Sequence, residues 1–260
     1  LIPLILATNI FKYPFFEFGS RYANSTGESL IDGYRRVGNW MLGLYFIITL
    51  GSMFFVCGAV GAVTSGFLQN LFEISSWGIW ATVMLFIICV SILIVGRYKV
   101  LDSLMKVIGI VLLLSTLLAF VLAMFKGANP PKPDFVAPDV WSDASLWFII
   151  ALMGWMPTAV DLSAWISLWT VERIKQTDYK PTMKESLADF NFGYIVSALL
   201  AICFVTLGAY VLYGSGVELP DSKAAFANSV VEMFTGFIGD WSYVIIAAAG
   251  FSIMFGTCIA

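Results

Sequence analysis

The chain repeatedly runs for about 20 residues with few charges, and that spacing limits its fold before anything else does, because a helix of roughly 20 apolar residues crosses the hydrocarbon of a bilayer. In lipid, only helices and closed barrels satisfy every backbone group internally. Apolar stretches at residues 1–19, 40–67, 77–96, 104–125, 145–169, 192–213 and 241–260 predict membrane spans within one transmembrane domain, residues 1–260. Composition agrees: 60% of residues are hydrophobic and 12% charged, outside the usage of soluble domains. The fold class expected is an all-α polytopic membrane protein. Because the first residue is Leu1 and both ends lie inside apolar runs, the chain reads as incomplete at both ends. Cys57, Cys89, Cys203 and Cys258 all fall within apolar runs, where cysteine acts as a small packing residue rather than as part of a disulfide framework.

Positive residues are distributed unevenly between the spans. Arg21, Arg35, Arg36, Arg97, Lys99, Lys106, Arg173, Lys175, Lys180 and Lys184 belong to one set of connections, whereas Lys126, Lys132 and Lys223 belong to the other. The positive-inside rule makes the first set cytoplasmic, so the first visible span runs from outside to inside. If one span precedes it, the stretch 145–169 is the sixth helix, entering from outside. Residues 127–143 form an outer proline-rich loop and residues 171–189 a charged cytoplasmic loop. The segment Ser222 to Phe237 has Phe226, Val230 and Phe234 at helical spacing and is placed at the outer interface.

The span 145–169 is interrupted near 154–159 by Met153-Gly154-Trp155-Met156-Pro157-Thr158-Ala159. Proline lacks an amide hydrogen and clashes with the preceding turn, so the helix must kink or unwind between Gly154 and Pro157. Carbonyls freed in this way are tolerated in a membrane only against protein or a wet cavity, and broken helices at mid-depth are where secondary transporters bind substrates and ions. Two ionisable residues, Lys12 and Asp161, lie roughly 12 to 16 Å inside the cytoplasmic boundary at about 1.5 Å per helical residue, deep enough to form an intramembrane charge pair. Two readings of that pair stand. Asp161 binds a cation or relays a proton, with Lys12 as a tethered substitute charge, or the two make a fixed structural bridge. Met156 adds a soft thioether suited to iron or manganese and poorly suited to magnesium. The expected metal or substrate site is therefore Met156, the carbonyls near Met153 and Gly154, Thr158 and Asp161. Glu17 and Arg21, four residues apart, are expected to pair on one helix face.

These residues resemble the Nramp divalent-metal transporters. Met156-Pro157-Thr158-Ala159 is similar to that family's sixth-helix Met-Pro-His-Asn motif. Phe11-Lys12-Tyr13-Pro14-Phe15-Phe16-Glu17-Phe18-Gly19-Ser20-Arg21-Tyr22, followed by Thr26-Gly27-Glu28-Ser29-Leu30, resembles its second helix and the stretch after it. The order of spans is similar over essentially the whole chain, as helices two to eight. The resemblance implies a LeuT-type inverted-repeat fold of the APC superfamily, in a bacterial plasma membrane. It implies a symporter-like secondary transporter moving Mn2+ or Fe2+ by alternating access, with Met156 as a metal ligand. The chain departs from the family at Thr158 and Ala159, which stand where the family has histidine and asparagine. Phe55, Cys57 and Gly58 occupy a region where the family carries carboxylates, so its proton route is not reproduced. An organic-substrate transporter of the same fold, similar to amino-acid permeases, is the first alternative. An intramembrane enzyme is disfavoured, since the chain has no histidine and no nucleophile set beside an acid–base partner. A metal sensor without transport is a further alternative. The partners expected are membrane lipid and the transported ion, with no cofactor and no nucleic acid.

Overall fold

A computed structural model describes residues 1–95, 98–137, 139–211, 213–214 and 223–259. Among these, every regular element is a helix: α1 (Ile2–Thr26), α2 (Leu30–Val37), α3 (Asn39–Leu71), α4 (Ile79–Val95), α5 (Tyr98–Lys126), α6 (Asp143–Trp155), α7 (Ser163–Thr177), α8 (Met183–Val211), α9 (Lys223–Ile238) and α10 (Tyr243–Ile259). Gly96, Arg97, Ser222 and Ala260, which bound or join the expected spans, lie outside the described residues. Five described stretches are long and apolar enough to cross a membrane: Asn39–Leu71, Gly109–Lys126, Asp143–Thr177, Met183–Tyr210 and Asp240–Ile259. The chain is an all-helical integral membrane protein. The apolar helix Ile79–Ile94 is shorter, and α1, which carries Lys12, Glu17 and Arg21, is not among the five.

Helices overrun the apolar limits read from sequence. The charged connection 171–189 is mostly helical, because α7 continues to Thr177 and α8 begins at Met183. Glu, Lys and Arg are good helix formers, so hydropathy marks where the chain meets polar surroundings, not where its helix ends.

The chain divides into two compact units, Leu1–Ser52 with Val136–Val205, and Met53–Phe135 with Thr206–Ala260. In the first unit, small buried residues bring α1 against α7: Gly19, Ser20 and Ala23 from one, Ser163, Ala164 and Ser167 from the other. A methyl group built on Gly19 would lie 2.5 Å from the Ser163 carbonyl oxygen, closer than atoms can pack. This is the small-residue approach by which membrane helices gain packing and polar contact without a hydrophobic drive between them. Hydroxyls and amides extend the contact: the Leu30 amide donates to Ser167 Oγ at 2.9 Å, Asn24 Nδ2 donates to the Pro181 carbonyl at 2.9 Å, and the Ser20 and Ser186 hydroxyls lie 3.1 Å apart. Arg21 pairs with Glu17 along α1. The short helix α2 starts with a reciprocal cap, in which Asp32 N donates to Ser29 Oγ and Ser29 N to Asp32 Oδ2, the pattern that satisfies two orphan donors at once. The Ser29 hydroxyl and then its amide hold the Asp32 carboxyl below the usual carboxylate range.

The second unit is built on Phe67, Leu207, Val231 and Phe234, with Ala119, Ala227 and Ala247 between them. The α9 face buried here is Ala227, Val231 and Phe234, rotated from the Phe226, Val230 and Phe234 stripe of the sequence reading. Alanine 227 supplies close approach, which a search for large apolar residues overlooks. Asn70 Nδ2 donates to Asn228 Oδ1 at 2.8 Å, and the Tyr243 hydroxyl donates to Asn70 Oδ1 at 2.8 Å, linking α3, α9 and α10. The four cysteines are free.

Substituting Gly19→Ala forces α1 away from the Ser163 carbonyl and is expected to destabilise the full-length protein by about 1–3 kcal/mol, the range for overpacking. In Gly43→Ala the new methyl meets nothing within 4 Å, so thermal unfolding in detergent should show no loss for that control.

Candidate substrate site at the broken helix

The interruption lies between α6 and α7. The Met156 amide still donates to the Leu152 carbonyl at 2.9 Å; Met156 itself is extended, with φ −99° and ψ 126°. Pro157 follows and has no amide hydrogen to offer the Met153 carbonyl. Ala159 is again extended, and a turn of 3-10 helix at Val160–Leu162 leads into α7. Gly154 belongs to the last turn of α6 rather than to the unwound segment.

Lys12 fills the interruption. Its ammonium donates to the Gly154 carbonyl at 2.8 Å and to the Thr158 carbonyl at 3.0 Å, bridging the end of α6 and the unwound strand. A cation is favourable there because the carboxyl end of a helix carries partial negative charge on its unpaired carbonyls. Asp161 is bonded elsewhere: Ser52 Oγ donates to its Oδ2 at 3.1 Å. Lys12 and Asp161, considered as a charge pair from their depth, therefore do not form one; backbone oxygens meet the lysine first. Met153, Met156, Thr158 and Asp161 are all half-buried, and Gly154 is exposed. Among the described residues there is no group of three or more histidine, cysteine, aspartate or glutamate side chains able to hold a metal. Any metal at the break would depend on backbone carbonyls, the Met156 thioether and isolated oxygens.

A cavity of about 680 Å³ reaches the break from the α7–α8 side. Pro157 and Thr158 line it, whereas Met153, Gly154, Met156 and Asp161 do not. Its walls combine the rings of Phe16, Phe190 and Tyr194 with Arg173, Glu185 and Asp189. Polar side chains that hydropathy does not flag fix α1 against α8: the Tyr13 hydroxyl donates to Asn191 Oδ1 at 2.6 Å, and the Tyr194 hydroxyl donates to the Asn9 carbonyl at 2.7 Å. Asn9 Oδ1 is buried without a partner. The available signal was spacing, since Asn9 and Tyr13 are one helical turn apart in an apolar run, as are Asn191 and Tyr194.

The chain matches no family model, and no solved structure matches it. An uncharacterized protein of Pasteurella multocida (strain Pm70) is 34% identical over 258 residues, which is 98% of this chain. The chain spans 59% of that protein's length.

The Tyr13–Asn191 contact should be measurable as a coupling. In a double-mutant cycle of Tyr13→Phe and Asn191→Ala, the two losses of thermal stability should fall short of additivity by about 1 kcal/mol, the net worth of one intramolecular hydrogen bond.

Proposed function

We propose that the chain belongs to a secondary active transporter with a LeuT-type fold, related to the Nramp proteins, and that it moves a divalent transition metal such as Mn2+ or Fe2+ by alternating access. The observation that carries this reading is the convergence of the Gly154 and Thr158 carbonyls on one point, already taken by a cation, at a proline break in a membrane-spanning helix. Freed carbonyls and half-helix ends are the means by which discontinuous membrane helices hold ions. Met156 stands beside them as the first extended residue, and its sulfur favours soft transition ions over magnesium.

The cavity favours a second reading, an organic-substrate transporter of the same architecture. A volume of about 680 Å³ with aromatic walls is in the range that small organic ligands fill and far larger than a dehydrated metal ion needs.

Uptake by the full-length protein in proteoliposomes separates the two. Mn2+ and Fe2+ should enter well ahead of Mg2+, and Met156→Ala should cut that preference by about 10-fold or more, as expected when a soft ligand is lost. Equal movement of Mg2+ and Mn2+ by both forms would remove the metal reading; uptake of a labelled amino acid with no metal flux would establish the second.

A further inference from the structure

Lys12 is connected to the break by full hydrogen bonds, and its charge is more than capping requires. Two orphan carbonyls could be satisfied by an amide or a hydroxyl, whereas a charged side chain within a bilayer costs a few kcal/mol or more. The ammonium is directed not at a carboxylate but at the two backbone oxygens that a cargo cation would need, at 2.8 and 3.0 Å. Asp161, the carboxylate closest to the break in sequence, accepts from Ser52 instead. An ammonium and a second cation cannot share the same pair of oxygens, because each would then face a like charge at contact distance without water between them.

We propose that Lys12 is the resident counter-charge of the empty site, which an incoming divalent cation displaces from the Gly154 and Thr158 carbonyls and which returns when that cation leaves. The proposal rests on the transport reading above and adds a residue that sets its affinity and its discrimination. A monovalent ion gains little by exchanging with an ammonium of equal charge, whereas a divalent ion brings an additional charge to the same oxygens. Lys12 thus acts as a built-in competitor, scaling apparent affinity down by the fraction of time it leaves the site free.

Two measurements on the full-length protein test it. In proteoliposomes, Lys12→Gln retains a donor but no charge and should lower the half-saturating Mn2+ concentration by about tenfold, the correction expected when a competing occupant is removed. Lys12→Arg, which keeps the charge, should stay close to the parent. Weaker or unchanged apparent affinity in Lys12→Gln would overturn the proposal. The second measurement needs no substitution. In the solubilised parent, Lys12 is treated with a small amine-acylating reagent and its peptide quantified by mass spectrometry, with exposed Lys180 as the internal reference. Added Mn2+ should raise Lys12 acylation severalfold while Lys180 stays constant; no rise would also overturn the proposal, including where Lys12→Gln fails to fold. A parent that releases Lys12 to Mn2+ yet moves no metal across vesicles would count against the transport reading alone.

Discussion

A peptide carbonyl without a donor is expensive wherever water is excluded, and at the α6–α7 break the first unit meets this constraint with a side chain from a distant helix. Pro157 makes the constraint unavoidable, since it withholds a hydrogen from the chain at the point where α6 would otherwise continue. The carbonyl this leaves without a helical donor is that of Met153; Lys12, from α1, serves two others at the break, reaching across 142 positions to Gly154 and 146 to Thr158. The solution works only if α1 runs close beside the broken helix. Gly19 permits that, since no side chain larger than hydrogen fits against the Ser163 carbonyl. A small residue two turns along α1 therefore decides whether the ammonium reaches its acceptors.

The break itself was legible in the sequence because proline removes a backbone donor, although Pro14 lies inside the unbroken α1, so proline alone does not decide where a helix stops. Lys12 was legible as a charge within an apolar run, where few such residues survive. Its partners were not. A search for side chains of opposite charge finds Asp161, but the acceptors are main-chain oxygens, which every residue carries and which no sequence pattern distinguishes. The Ser52–Asp161 contact was hidden for a related reason: a serine in an apolar helix ordinarily bonds its own preceding turn, and Ser52 does lie 3.2 Å from the Thr49 carbonyl as well. Helix ends were poorly legible where charged helix formers such as Glu172, Arg173 and Lys184 extend an apolar core.

Each unit has its own polar contacts. In the second, Asn70, Asn228 and Tyr243 bond to each other, with Asn228 also donating to Glu232, and so join three helices around an alanine-rich core. In the first, several polar side chains bond to backbone oxygens, as with Lys12, Asn24 and Tyr194.

Thr158 belongs to two environments at once. Its residue forms part of the cavity wall, while its carbonyl accepts from Lys12. The wall and the ammonium are consequently joined through a single residue. Whatever fills that space therefore lies one residue away from a positive charge.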